Sequence, residues 1–150
     1  MLAITFGFLL NSVGDLIHQL NDAIIIHTNQ RIVREAQNTS NLPLTLLFSA
    51  IAQVETNGNP RVGKAGEIGT YQIRECYWID SNISGNFQQC WDDEYAERVM
   101  WAYWLRYCPD ACRTFDFETM ARIHNGGPKG DLKEATKPYW EKVKAIIAKG

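Results

Sequence analysis

The chain has 150 residues, of which 45% are hydrophobic and 21% charged, and this composition excludes a disordered, collagen-like or coiled-coil protein. The formal net charge of -2 provides no strong attraction to nucleic acid or to anionic surfaces, so we expect no nucleic-acid partner. A chain of this length is suited to one compact domain.

The first 41 residues form a distinct N-terminal segment. Residues 2–10 are an apolar run of signal-peptide length, but no Lys or Arg precedes them, so a cleaved signal and a retained helix fit equally. From Asp15 to about Gln37, apolar residues recur at three- and four-residue steps, which predicts one or two amphipathic helices. No apolar run reaches the roughly 18 residues of a membrane span. We predict a helical signal or pro-region over 1–41 and a second domain over 42–150.

The second domain is predicted to be mainly α, with a small β or loop element beside a cleft. The run 43–55 is apolar on nearly every face, which is typical of a helix buried in the core. The glycine-rich residues 57–69 predict a turn-rich loop or short hairpin, with strand candidates only near Val62 and Ile68. Further helical patterns cover Tyr71–Asp80, Asp92–Tyr107, Phe117–His124 and Pro138–Lys149.

Four cysteines lie in the second half of the chain, at Cys76, Cys90, Cys108 and Cys112. An even number with one close pair suits two disulfides in an oxidising compartment. Three pairings are possible, and short loop closure favours Cys76 with Cys90 and Cys108 with Cys112. Buried thiols are an alternative, and a zinc site is less favoured because zinc-binding cysteines usually have two-residue gaps.

Glu55 is the best candidate for chemistry when residue types alone are considered. It ends the apolar helix and precedes the glycine-rich loop, where burial would raise the pKa of its carboxyl. A carboxyl that stays protonated near neutral pH can donate a proton to a glycosidic oxygen. A glutamate at a helix end is more often a solvated surface residue, so the pattern by itself leaves both interpretations open.

Three motifs occur in a recognisable order. They are Ala-Gln-Val-Glu-Thr at 52–56, followed by Pro60, Gly-Glu-Ile-Gly-Thr-Tyr-Gln-Ile at 66–73 and Ala-Arg-Ile-His-Asn-Gly-Gly-Pro at 121–128. Together they resemble the motifs of the lytic-transglycosylase and goose-type lysozyme superfamily. The longer strings, which add Tyr-Trp-Ile-Asp at 77–80 and Tyr-Trp at 139–140, are most similar to invertebrate-type lysozymes. The resemblance covers about residues 44–147.

The resemblance implies a lysozyme-like α+β fold, no metal or other cofactor, and bacterial peptidoglycan as the substrate. It implies hydrolysis between N-acetylmuramic acid and N-acetylglucosamine with Glu55 as general acid. We also expect a monomer, and the cysteine count favours secretion. The residues expected to bind the sugar are Tyr71, Gln72, His124, Asn125 and Gly126.

The chain also departs from the invertebrate-type pattern. That family carries a catalytic Asp in the loop before the second motif, whereas the loop 56–65 is shorter and contains no acid. Glu67 is the nearest acid, and a second catalytic carboxylate and a solvated loop charge are equally compatible with it. The missing Asp leaves a lytic transglycosylase, which needs a single Glu, as an alternative. A non-catalytic peptidoglycan- or chitin-binding module is another, although the presence of Glu55 favours an enzyme.

Overall fold

The structure is a computed structural model that describes residues 44–149. These residues belong to one compact unit of the chain, 43–150. The predicted N-terminal helices and the boundary near residue 41 lie outside the described residues and stay predictions.

The described part of the chain is built from six α-helices and three short 3-10 helices, which confirms the prediction of a mainly α fold. The α-helices are α1 (44–56), α2 (Glu75–Ser81), α3 (Asp93–Tyr107), α4 (Pro109–Thr114), α5 (Phe117–Gly126) and α6 (Lys137–Ile147). The 3-10 helices are Phe87–Trp91, Gly130–Leu132 and Glu134–Thr136.

One face of α1 is buried in the core, but Leu46 is 42% exposed, so the helix is less buried than its apolar sequence predicts. Leu47 and Ile51 are fully buried, and the Phe48 ring stacks on Trp104 of α3 at a centroid distance of 5.6 Å. At the end of the helix the Thr56 hydroxyl donates a hydrogen bond to the Thr70 carbonyl at 2.8 Å. This bond ties the end of α1, and therefore Glu55, to the glycine-rich segment.

The helices α3 and α5 supply nearly half of the remaining buried hydrophobic residues. On α3 the side chain of Asp92 caps the N-terminus by accepting a hydrogen bond from the Tyr95 backbone N–H at 2.8 Å. The helix α5 begins in the same way at Asp116, whose side chain accepts a bond from the Thr119 N–H. Its amphipathic sequence turns Met120 and Ile123 into the core, and α5 packs on both α3 and α6.

The β element is smaller than predicted. Ile68 and Ile73 form one antiparallel bridge with two backbone hydrogen bonds of 3.0 Å. Val62 has no such pairing and is 62% exposed, so the strand candidate near it is wrong. The helix predicted from Tyr71 begins only at Glu75, because Gln72 has a φ of 52° and completes the turn that closes the bridge.

The two predicted disulfides are wrong: all four cysteines are free thiols in the structure. Cys76 is exposed on α2, whereas Cys90 is fully buried, so their side chains lie in different environments. Cys108 and Cys112 lie one helical turn apart, and the hydrogen bond between their thiols raises the pKa of Cys108 and lowers that of Cys112. Loop length, on which the pairing was predicted, contains no information about side-chain direction.

Candidate active site

A groove of about 390 Å³ lies where the end of α1, the loop after it, the start of α2 and the end of α5 meet. Its lining residues are Glu55, Arg61, Lys64, Glu67, Gln72, Arg74, Tyr77, His124 and Asn125. Five of the seven site residues predicted from the sequence are therefore brought together, although 70 residues separate the first from the last.

Glu55 is held in a largely desolvated position at the base of this groove. Its side chain is 20% exposed, and burial is the main reason why the pKa of its carboxyl is raised above 4.5. The negative charge of Glu67 raises this pKa further, whereas Tyr139, Arg61 and Lys142 lower it. Burial outweighs the groups that favour ionisation, so Glu55 retains its proton to a higher pH than an ordinary glutamate.

Tyr139 of α6 is a site residue to which the sequence pattern assigned no role. Its hydroxyl is buried against Glu55 and acts on the carboxyl, lowering the pKa of Glu55. The hydroxyl does not reach good hydrogen-bond geometry with any described residue, so this contact is weak in the present conformation. Tyr139 belongs to the Tyr-Trp string at 139–140, but only the packing of α6 against α5 places its hydroxyl near Glu55.

His124 lies beneath the groove rather than at its open surface. Its Nε2 is 3.8 Å from Oε1 of Glu55, and its Nδ1 is 3.5 Å from the Tyr77 hydroxyl. Burial lowers the pKa of His124 to about 4, although the Tyr71 backbone carbonyl opposes this shift. The imidazole is therefore neutral at pH 7 and does not form an ion pair with Glu55.

Glu67 is a fixed, ionised carboxylate that lines the same groove as Glu55. Its Oε2 accepts a hydrogen bond from the Ala65 N–H at 2.9 Å, and its Oε1 lies 3.4 Å from Nε of Arg74. The bonds from its own backbone N–H and from Ala65 are the main reasons why the pKa of Glu67 is lowered, and Arg74 adds to them. The groove thus combines one carboxyl that tends to stay protonated with one that tends to stay charged.

The loop after α1 is packed closely around Glu67 and Gln72. The Gln72 amide nitrogen donates to the Arg61 and Gly69 carbonyls, each at 2.9 Å. A Cβ atom added at Gly63 would lie 2.5 Å from both Oε1 of Gln72 and Oε2 of Glu67. Glycine at position 63 therefore allows the loop to approach these two side chains.

Three cations that the sequence pattern did not single out also line the groove. The Arg61 guanidinium donates to the Glu55 backbone carbonyl at 2.6 Å, which fixes it at the C-terminal end of α1. Arg74 pairs with Glu67. Lys64 lies on an exposed turn between Arg61 and Arg74 in the sequence. Basic residues in polar loops are usually solvated, so composition gave no reason to select these three.

Two predicted site residues do not line the groove. Tyr71 packs edge-on against Phe48 and donates its hydroxyl to Oε1 of Glu97 at 2.5 Å. Gly126 accepts a hydrogen bond on its carbonyl from the Lys133 ammonium at 2.5 Å. Tyr71 is only 4% exposed, so its phenol belongs to the core and not to the groove.

The described residues contain no group of three or more His, Cys, Asp or Glu side chains that could hold a metal ion. Within residues 44–149 no helix is both long enough and apolar enough to cross a membrane.

The comparisons with known proteins identify a family and a fold. The sequence profile of the family described as Destabilase matches residues 46–146. A lysozyme of Ostrea edulis is 38% identical over 84 residues, which cover 55% of this chain and 61% of that protein. An invertebrate-type lysozyme of Ruditapes philippinarum is 31% identical over 108 residues, which cover 64% of this chain and 76% of that protein. The match to the Ostrea protein thus spans less than two thirds of that relative.

The fold is similar to that of a solved lysozyme. The crystal structure of Tapes japonica lysozyme superimposes with a TM-score of 0.57 at 28% sequence identity. The superposition covers 67% of this chain and 88% of that one.

Proposed function

The chain belongs to the Destabilase family, and on this premise we propose that it is a muramidase. The reaction is hydrolysis of the β-1,4 bond between N-acetylmuramic acid and N-acetylglucosamine in bacterial peptidoglycan, which makes the chain a glycoside hydrolase. One observation supports the proposal: a single groove holds both Glu55, whose pKa is raised by burial, and Glu67, whose pKa is lowered by backbone N–H donors. In glycosidases, one of the two carboxyl groups that flank the scissile bond is protonated and the other is ionised.

Glu55 is the general acid in this mechanism. Its proton passes to the glycosidic oxygen as the bond to the anomeric carbon breaks, and positive charge develops on the sugar ring. Glu67 is charged at that moment and stabilises the developing positive charge or orients the attacking water. Because the Ala65 N–H already holds Oε2 of Glu67, the carboxylate is fixed before substrate arrives.

The remaining groove residues bind and position the substrate. Gln72 and the exposed Asn125 carry amide donors and acceptors suited to the N-acetyl and hydroxyl groups of the sugars. His124 supports the Glu55 carboxyl from below as a neutral ring. Tyr71 contributes through its backbone, since its carbonyl accepts a hydrogen bond from the His124 ring.

The direct test is the pair of variants Glu55→Gln and Glu67→Gln, assayed by release of soluble glycan from purified peptidoglycan. We expect Glu55→Gln to abolish cleavage, because the amide has no transferable proton at working pH, and Glu67→Gln to lower kcat by on the order of tenfold or more. The matched control is Glu94→Gln, which removes a carboxylate that is 85% exposed on α3, outside the groove. Wild-type cleavage by Glu55→Gln, with the control unchanged, would remove the catalytic assignment.

A second candidate reaction is that of a lytic transglycosylase, and one observation favours it. Ala65 and Arg74 already contact the two oxygens of Glu67, so this carboxylate is less available to act on a water molecule. Glu55 is then the one groove carboxyl left to take part in the reaction. In this reaction Glu55 acts first as acid and then as base, and the muramyl 6-hydroxyl attacks the anomeric carbon. Mass spectrometry separates the two: hydrolysis gives reducing ends, and transglycosylation gives 1,6-anhydro ends lighter by one water.

The location and assembly of the protein belong to the same proposal. Because the proposed substrate lies outside the cell that makes the enzyme, we propose a secreted, bacteriolytic protein that acts as a monomer. A non-catalytic peptidoglycan- or chitin-binding module would instead bind the wall without releasing soluble glycan. Detection of the protein in culture medium tests secretion, and its size in solution tests the monomer. Release of soluble glycan from cell walls tests whether the protein is an enzyme or only a binding module.

A further inference from the structure

The groove has a charge opposite to that of the chain as a whole. The chain carries a formal net charge of -2, yet Arg61, Lys64 and Arg74 all line the groove. Even when both Glu55 and Glu67 are ionised, the three cations outnumber the two carboxylates among the lining residues. The groove therefore attracts anions although the protein surface as a whole does not.

The three cations differ in whether they are already paired. Arg61 donates to the Glu55 backbone carbonyl, and Arg74 forms an ion pair with Glu67. Lys64 is exposed and makes no hydrogen bond or ion pair with any described residue. Its ammonium group is therefore the one groove cation that has no partner within residues 44–149. A lysine on a flexible stem can reach a charged group at variable distance.

We propose that Lys64 is a specificity-determining residue that binds a carboxylate of the peptide substituents on peptidoglycan. This inference rests on the proposed function, because it concerns the substrate of the same groove. The muramic acid residue beside the scissile bond carries the peptide, so a cation lining the groove of Glu55 is well placed to meet the peptide's carboxylates. Unsubstituted chitin has no carboxylate and gains nothing from Lys64.

A phosphate of an anionic wall polymer could also pair with an ammonium group. The groove favours the peptide carboxylate, because the peptide is attached to the sugar that Glu55 must reach, whereas wall phosphates belong to separate chains. The test therefore uses peptidoglycan sacculi that have been stripped of phosphate-containing polymers. A parallel sample has its carboxylates converted to neutral amides, which leaves the glycan unchanged.

The experiment measures binding by sedimentation with both kinds of sacculi, and KM and kcat for their cleavage. The variants are Lys64→Gln, Lys64→Arg and the control Lys144→Gln, which removes an exposed positive charge on α6 that does not line the groove. We expect Lys64→Gln to weaken binding to native sacculi about three- to fivefold, through KM and not kcat, and to leave binding to amidated sacculi unchanged. Lys64→Arg should restore most of the loss.

An equal loss on native and amidated sacculi, or no loss on native sacculi, would overturn the role of Lys64. A dependence on Lys64 that appears only when phosphate polymers are retained would also overturn the assignment to a carboxylate. Because sedimentation needs no turnover, Lys64-dependent binding without any cleavage would refute the proposed muramidase while supporting the subsite. Failure of the two proposals is therefore distinguishable.

Discussion

Nε2 of His124 lies 3.8 Å from Oε1 of Glu55, but the two groups are not an ion pair, because burial lowers the pKa of His124 to about 4. The same desolvation raises the pKa of Glu55. Both shifts favour the neutral form of each residue, so the two groups do not stabilise each other as ions. An imidazolium at this position would favour ionised Glu55 and remove the proton that the acid must donate. A neutral histidine therefore preserves the acid.

The pH dependence of kcat/KM follows from the opposite shifts of the two carboxyl groups. As pH rises through the raised pKa of Glu55, the acid loses its proton and activity falls. As pH falls through the lowered pKa of Glu67, the carboxylate is neutralised and activity falls again. We expect a bell-shaped profile whose acidic limb lies below pH 4.5, the ordinary value for a glutamate.

Two variants assign the limbs of this profile. Glu67→Gln should remove the acidic limb and move the alkaline limb to lower pH, because the charge of Glu67 raises the pKa of Glu55. Arg61→Gln removes a cation that lowers the pKa of Glu55, so the alkaline limb should move to higher pH. The control Arg98→Gln, on the exposed side of α3, should leave both limbs in place. An alkaline limb that does not respond to Arg61 would contradict its assignment to Glu55.

The thermal stability of Glu55→Gln should exceed that of the wild type at high pH but not at low pH. The folded state raises the pKa of Glu55 above 4.5, so the carboxyl is more readily ionised in the unfolded chain. The contribution of Glu55 to the free energy of unfolding of the wild type is therefore fully present below pH 4.5. It is lost as pH rises through the pKa that Glu55 has in the folded state. Glutamine does not ionise and escapes this loss.

The measurement is the Tm of both proteins at pH 4 and pH 8. We expect the Tm difference in favour of Glu55→Gln to increase between these values, and the control Glu94→Gln to show no such increase. A difference that stays constant with pH would mean that Glu55 is not desolvated. The same variant would then be catalytically dead for a reason other than the loss of a buried acid.

Reducing agent should leave the Tm of the described domain unchanged, because all four cysteines are thiols. In the folded protein Cys76 should react rapidly with a thiol reagent, whereas the buried Cys90, Cys108 and Cys112 should react only after unfolding. Counting modified thiols by mass with and without denaturant checks both statements. A Tm lowered by reductant would restore a disulfide and with it the compositional argument for an oxidising compartment.

The sequence predicted the helices better than it predicted the directions of side chains. The buried helix ending near Glu55 and the long helix ending at Tyr107 were both correct, because their apolar periodicity extends over many residues. The helix α4 was missed, since six residues are too few to show a helical period. Cys108 and Cys112, whose spacing suggested a disulfide, lie at the start of α4 and within it.

The candidate site shows the same division between pattern and packing. The order of the motifs correctly predicted that Glu55, His124 and Asn125 share one groove, because these residues belong to motifs that resemble those of lysozymes. It placed Tyr71 there as well, although the phenol packs in the core and donates to Glu97. Contacts made across the fold, such as a hydroxyl on α6 beside an acid on α1, leave no periodic trace in the sequence.

Gly63→Ala should reduce activity far more than stability. The added methyl group would lie 2.5 Å from Oε1 of Gln72 and from Oε2 of Glu67, so the loop or these two side chains must move. A displacement of the fixed carboxylate by even a fraction of an ångström should lower kcat by on the order of tenfold or more. The exposed loop can shift outward, so the free energy of unfolding should change by less than about 1 kcal/mol.

The matched control for this substitution is Gly58→Ala. A Cβ at Gly58 meets no atom within 4 Å, but the residue has a φ of 75°, which an alanine adopts only with strain. This variant should therefore lose about 1 kcal/mol of stability and retain its activity, which is the reverse of the result expected at Gly63. Activity and urea unfolding measured on both variants give two independent readouts. If Gly63→Ala keeps wild-type kcat, the position of Glu67 does not limit the reaction, and the single-acid mechanism through Glu55 becomes the better account.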